Sequence, residues 1–237
     1  MFIRSYDAYV RMTMKQRAAT AEPSKKAPAE TRERVLEVAE RLFAQRGLDA
    51  VSIRDIIAAA GANLGAINYH FGTKDRLIEA VFERRMIPST QERLRALEAV
   101  ERAAGDRPPK LEAVLEAIFR PVVEEAMDTK RGGATFGKLM ARCLVDPNPV
   151  MEKVMHSHFA AVVKRFDAAL MRAMPNLAPG DVFWRMHLLM GGLHQSLLLL
   201  GRKPPPGAPA LNLDAETYVR RFVAFAAAAF RAPLPKD

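Results

Sequence analysis

From Thr31 onward, apolar residues recur at spacings of three and four, and no stretch of useful length alternates as a half-buried strand must. Val35, Leu36, Val38, Ala39, Leu42 and Phe43 form the first such stripe, and Gly47 closes it. Ser52 then stands as an N-cap with Asp55 placed to complete a capping box, ahead of a short helix from Ile53 to Ala59 that stops at Ala60-Gly61. Asn63 caps a second short helix to about His70, and Thr73 a longer one through Leu77, Ile78, Val81 and Phe82 towards Ala103. The Gly105–Pro109 break that follows reads as a domain boundary. Beyond it, helices are expected near 110–128, 132–145, 148–173, 180–201 and 214–231, with glycine- and proline-rich separators between them. The expected class is all-α, without internal repeats.

Residues 1–29 lack this period and read as a disordered basic tail. Six basic residues (Arg4, Arg11, Lys15, Arg17, Lys25, Lys26) face two acidic ones (Asp7, Glu22) there, and Met12 and Met14 are alternative starts. The chain of 237 residues carries a formal charge of +9, which directs attention to a polyanionic partner. A single cysteine, Cys143, excludes an intrachain disulfide framework and fits the reducing cytoplasm. No secretory signal is visible. The most apolar stretch, Phe183 to Gly201, is interrupted by Arg185, His187, His194 and Gln195, which makes it a buried helix rather than a membrane span.

Catalytic, cofactor and metal chemistry find no foothold: there is no phosphate-binding glycine loop, nucleophile elbow or Cys/His cluster. His156 and His158 are two apart and point to different helix faces, while His187 and His194 share a face at roughly 10 Å by helix rise.

The informative constellation is the pair of short helices, 52–59 and 63–70, around a glycine turn, the arrangement of a helix-turn-helix. Gly61 admits the positive φ that a tight turn needs, and Ile56, Ala60, Ala62 and Ile67 provide inner faces to bury. Gly65 and Ala66 keep the front of the second helix slim enough to approach DNA closely.

The run from Ser52 to Leu77, with Tyr69-His70-Phe71-Gly72-Thr73-Lys74 as its most diagnostic part, closely resembles the DNA-binding signature of the TetR family of transcription regulators. The preceding helix, with Ala39, Leu42, Phe43 and Gly47, fits the same pattern, so the resemblance covers about residues 31–82. It implies a three-helix DNA-binding domain at 30–82 and an effector-binding and dimerisation domain at 83–237. It further implies that Ser52 and Thr73 cap helices and donate to phosphates, that Tyr69 and His70 reach the backbone or a base edge, and that Lys74 binds phosphate. Arg54, Asn63, Leu64, Ala66 and Asn68 become candidates for base readout, with Gly65 beside them, whereas Phe71 belongs to the core. Two departures stand out: Ile57 replaces a usual alanine, altering how the two helices pack, and Asn68 replaces an apolar or aromatic residue. Asparagine can pair bidentately with adenine or simply hydrogen-bond a phosphate.

For the C-terminal part, Leu188, Leu189, Leu193, Leu197 and Leu200 with Gly191 and Gly192 form one candidate dimer surface, and Phe222, Phe225, Ala226, Ala229 and Phe230 another. Two helices from each subunit would build a four-helix bundle, as the family does. Pro121 should bend its helix and open space for an apolar effector lined by Phe119, Met140, Met155, Phe159 and Trp184, with Arg120 and His187 as polar contacts. The segments Phe183 to His194 and Leu139 to Pro147 look like TetR relatives tied to fatty-acid metabolism, some of which answer acyl-coenzyme A. The resulting expectation is a cytoplasmic, homodimeric repressor that an apolar or amphipathic effector releases from double-stranded operator DNA. The alternative is a helical protein-binding adaptor that does not touch DNA.

Overall fold

The computed structural model describes residues 26–199, 206–207 and 213–233; residues 1–25 of the expected tail, with Met12 and Met14, and Leu200 fall outside these. All regular structure among the described residues is helical: α1 Lys26–Arg46, α2 Ile53–Ala60, α3 Leu64–His70, α4 Lys74–Ala104, α5 Leu111–Met127, α6 Gly133–Val145, α7 Pro149–Ala173, α8 Pro179–Leu199 and α9 Ala215–Arg231, with a 3₁₀ turn at Thr129–Arg131. Each expected helix is present, most with ends within a residue or two of the expectation. The exception is α1, which begins at Lys26, inside the segment assigned to the tail. Lysine, alanine and glutamate favour helix, and Pro28 lies in the first turn, where a missing N–H costs no internal bond.

Two apolar cores organise the helices. The upper core joins Val35, Leu36, Ala39 and Phe43 of α1, Ile56 of α2, Ile67 of α3 and the Leu77–Met86 stretch of α4 with Phe136 and Leu139 of α6 and Met151 and Val154 of α7. The lower core gathers Leu97 of α4, Leu115 and Phe119 of α5, Phe166 and Leu170 of α7, Leu193 of α8 and Phe230 of α9. Thus α4 crosses from one core to the other without interruption, and core membership changes between Met86 and Leu97. The Gly105–Pro109 break ends α4 within the lower half and does not separate the two cores, a correction to the boundary expected there. Hydrophobic periodicity could not reveal this, because α6 and the start of α7 return to the upper core from far along the chain.

Several local devices hold the arrangement. Gly133 opens α6 where any Cβ would lie 1.7 Å from the Glu125 carbonyl oxygen, so only glycine lets α6 start against the end of α5. Arg185, an interruption of an apolar run in the sequence, is buried and donates to the carbonyls of Ala229, Phe230 and Ala232 at 2.6, 2.7 and 2.7 Å. It supplies donors to the carbonyls that end α9, of which Ala229 also accepts from the Ala232 amide at 3.3 Å. Pro121 lies within α5 and is buried in the interior rather than flanking an opening. Of the expected dimer surface, Leu189 and Leu193 on α8 and Ala226 and Phe230 on α9 are buried in the chain's own lower core. Leu188 on α8 and Phe225 on α9, also of that expected surface, face outward, joined by Phe183 and Trp184 of α8.

Candidate nucleic-acid interface

The helix pair is built as its residues dictate. Ser52 accepts a hydrogen bond from the Asp55 amide at 3.2 Å while Asp55 Oδ2 accepts from the Ser52 amide at 2.8 Å, a complete capping box at the start of α2. The Ser52 hydroxyl also donates to Asp55, so its proton is already spent inside the cap; donation to a phosphate would require it to leave that partner. Gly61 adopts φ 57° and ψ 33°, the left-handed turn, and its N–H returns to the Ile57 carbonyl. Arg34 of α1 donates its Nε to the Ala60 carbonyl at 2.9 Å, closing the other end of α2. Ile56, Ala60 and Ile67 are buried and Ala62 half-buried, so the inner faces close on α1. Ile57 fits by remaining half-exposed at the margin of the upper core.

The outer face is what remains. Leu64, Gly65, Asn68 and Tyr69 occupy one side of α3 by helical spacing and all four are exposed. Tyr69 shows 80% of its surface and Leu64 56%, high values for side chains with so much apolar area. Ser52, Arg54, Asn63 and Thr73 are exposed around that face, with Ala66, His70 and Lys74 half-buried at its edge. Asn63 uses its side-chain oxygen to cap the Ala66 amide at 2.7 Å, which leaves its NH₂ group outward. Thr73 accepts from the Arg76 amide at 3.2 Å and keeps its hydroxyl proton. Lys74 spends one donor on the Asp49 carbonyl at 3.2 Å and keeps two. Arg54 and Asn68 make no side-chain hydrogen bond among the described residues. His70 lies edge-on to Tyr69 at 5.1 Å, and burial, helped by the Arg32 charge, holds it below the ordinary histidine range. Phe71 is buried under Arg32, as its core assignment requires.

This face is fixed firmly to the rest of the chain. Arg142 of α6 donates to the Gln45 carbonyl at 3.1 Å, and the Asn148 amide donates to Asp49 at 2.9 Å, so the end of α1 and the loop after it are tied to α6 and to the start of α7. Glu40 of α1, almost fully buried, receives Arg84 at 2.6 Å and Arg85 at 2.9 and 3.1 Å from α4. Helical periodicity does not single out this clamp, although a glutamate one residue past Ala39 in an apolar stripe is a visible signal.

The expected effector residues do not converge on one cavity. Phe119 is sealed in the lower core, edge-on to Phe222 at 4.9 Å. Arg120 is half-exposed and clamped by Glu116, Glu124 and Glu216 at 2.7, 3.2 and 2.6 Å, a joint between α5 and α9 that raises its already high pKa further. Trp184 and His187 face outward on α8, where His187 stacks on Phe183. Only Met140, Met155 and Phe159 stay together, as half-buried neighbours of the upper core. Periodicity alone could not separate these faces, since each helix is apolar over most of its circumference. Among the described residues, no group of three or more His, Cys, Asp or Glu is placed to hold a metal ion, and no helix is long and apolar enough to cross a membrane.

Two family profiles match the chain: "Bacterial regulatory proteins, tetR family" over residues 35–81 and "Tetracyclin repressor-like, C-terminal domain" over residues 116–229. The HTH-type transcriptional repressor Rv3405c of Mycobacterium tuberculosis is 32% identical over 134 residues, 56% of each chain. The HTH-type transcriptional regulator AcrR of Shigella flexneri is 41% identical over 63 residues, 27% of this chain and 29% of that one. The matched stretch thus spans little more than half of the first of these relatives and less than a third of the second. Among solved structures, the SmeT–triclosan complex superposes with a TM-score of 0.55 at 21% identity, covering 87% of this chain and all of the other, a likeness of fold.

Proposed function

The chain belongs to the TetR family of bacterial regulators, and on that premise we propose that it is a homodimeric repressor released from operator DNA by a small effector. The observation that carries this reading is the exposed side of α3, where Leu64, Asn68 and Tyr69 stand clear of every other helix on a rigidly mounted turn. Two recognition helices held by a dimer read half-sites about one helical turn apart, or a multiple of that. Thr73, Lys74 and the outward amide of Asn63 supply backbone contacts, while Arg54 and Asn68 have free groups for base edges. The tail, with the positive charge of residues 1–25, adds non-specific attraction to the same duplex.

Dimerisation is supported by the outward apolar row on α8 and α9. Phe183, Trp184, Leu188 and Phe225 are each more than half exposed, next to exposed Gly191 and Gly192 that let a second helix come close. In this reading Trp184 and His187 belong to the subunit contact rather than to an effector cavity. A relative named as a repressor, and a fold-mate solved with triclosan, favour a repressor responsive to an apolar or amphipathic molecule. The likeness of two C-terminal segments to regulators of fatty-acid metabolism points the same way. Such a protein acts in the cytoplasm, where its DNA lies.

The test is a titration of the intact protein with duplex DNA from the region upstream of its own gene, at several salt concentrations. Sub-micromolar, salt-sensitive binding supports the reading. Absence of preference over scrambled DNA favours the protein-binding adaptor instead.

A further inference from the structure

Between the two cores, α4 carries polar groups at the inward positions that apolar residues fill above and below. Met86 belongs to the upper core and Leu97 to the lower; between them Ser89 and Thr90 are buried, Thr90 at 1% exposure, and Arg93 follows one turn later. The Thr90 hydroxyl and the Arg93 Nε are buried with no hydrogen-bond partner, and the Ser89 hydroxyl, also buried, has only the Glu125 carboxylate to favour. Arg93 makes no ion pair among the described residues, and its guanidinium carbon lies 5.6 Å from the centre of the Phe159 ring on α7. Burial pushes its pKa down to about 10. Arg93 as a whole residue is half-buried rather than sealed. Glu125 of α5 is the counter-charge, itself buried and held up above the usual carboxylate range, with Arg85 and Arg93 both acting to keep it ionised. From α8, His194 stands close enough to feel the Arg93 charge, and its Nδ1 is paired with the Met190 carbonyl at 2.7 Å.

A buried donor without a partner is costly, and Thr90 and Arg93, on successive turns of one helix beside Ser89, call for an explanation. All three can donate, and the guanidinium offers the planar fork that matches a carboxylate. Only one positive charge is available, and Glu125 would repel a second negative one. These features select a monoanion over a phosphate dianion. We propose that Ser89, Thr90 and Arg93 form the recognition site for the carboxylate of an amphipathic small molecule, whose apolar body lies along Phe159 and Met155. This rests on the ligand-controlled repressor reading and names the chemistry of its effector.

The same cluster is connected to the DNA-binding end. Glu125 feels the charges of both Arg93 and Arg85, and Arg85 is one of the two arginines gripping Glu40 of α1. A ligand carboxylate on Arg93 removes one of the cations holding Glu125, leaving Glu125 to compete with Glu40 for Arg85. Pro88, one residue ahead of Ser89, lacks the N–H that would bond the Arg84 carbonyl, so α4 is easiest to redirect at this point.

The experiment is thermal unfolding and calorimetric titration of the intact protein with decanoate and 4-phenylbutyrate, beside decanamide, decanol and decyl phosphate. A carboxylate at 100 times its Kd is expected to raise the melting midpoint by about 5–10 °C, with the neutral analogues and the phosphate inactive or much weaker. In Arg93→Met, carboxylate affinity should fall roughly 10–100-fold, while the ligand-free variant loses only a modest part of its stability, because Glu125 keeps Arg85 as a counter-charge and can take up a proton. Arg93→Lys should recover part of the affinity. Failure of both carboxylates to bind, equal binding of decanamide, unchanged affinity in Arg93→Met, or a large loss of stability in that variant would each overturn the proposal. Operator binding by the ligand-free protein is measured alongside: if it persists while carboxylates fail, the effector chemistry is wrong and the regulator reading stands.

Discussion

Replacing Glu40 by leucine removes the acceptor that joins α1 to α4 and leaves two arginines facing an apolar group. Three charge-assisted hydrogen bonds, at 2.6, 2.9 and 3.1 Å, are lost together. Each is worth roughly 1.5–3 kcal/mol when its partner stays buried. The full sum overstates the effect: Arg84 keeps Glu33 at 3.3 Å, and Arg84 and Arg85 are 18% and 13% exposed, so both guanidinia recover some hydration. A loss of about 3–5 kcal/mol is the reasonable expectation for breaking a buried ion cluster from one side. For a chain of this size that corresponds to a melting midpoint lower by roughly 6–20 °C. Glu40→Gln, which retains an acceptor but no charge, should fall between the two. Urea unfolding followed by circular dichroism measures the change, with the denaturant slope unaltered if only stability has moved. A loss below about 1 kcal/mol, the level of an exposed pair, would refute the idea that this clamp holds the DNA-binding end in place.

Lys74→Ala should leave stability nearly unchanged but flatten the salt dependence of DNA binding by about 0.9 in log–log slope per subunit, measured by fluorescence anisotropy; an unchanged slope removes Lys74 from the phosphate contacts. Arg185→Met should destabilise the chain by roughly 2–4 kcal/mol in chemical denaturation, because the Phe230 and Ala232 carbonyls lose their donor and Ala229 keeps only the Ala232 amide, and a neutral result would mean water replaces it freely. His70 and His194 both have pKa values held below 6.5, chiefly by burial, so the unfolded chain takes up protons first. Stability should therefore be insensitive to these groups above that pH and decline below it, and His194→Gln should reduce the decline; a wild-type stability flat from pH 7 to 5.5 would contradict this. Burial raises the Cys143 thiol to about 11, so it should react slowly with a disulfide reagent at pH 8, and a rate like that of free cysteine would show the site to be open.

Where a residue's role depended on local geometry, the sequence was informative. Ser52, Asp55, Asn63 and Thr73 are caps because side-chain oxygens three residues ahead of free amides have little else to do, and Gly61 takes a positive φ that its position in a tight turn demands. Helix number and order followed from the same reasoning. What escaped was anything set by the meeting of distant segments. Nothing near Phe136 or Met151 announces that they join the core built by Val35 and Phe82, so the boundary at Gly105–Pro109 was misplaced. Phe119, Trp184 and His187 share a composition with effector-lining residues, yet the first lies in solid core and the other two face outward. The overlooked signals were charges at inward helical positions: Glu40, Arg93 and Arg185 each interrupt an apolar stripe, and each marks a place where two helices are joined or a ligand chemistry is implied.

The exposed side of α3 bears the central claim, and selection of bound sequences from a random duplex pool interrogates it directly. Wild-type protein should enrich an inverted repeat whose half-sites are centred about one or more helical turns apart, while Asn68→Ala/Tyr69→Ala, altered only at exposed positions and unfolding at the same temperature, should enrich nothing. Recovery of the same repeat with both proteins would contradict the assignment of α3 as the element that reads DNA.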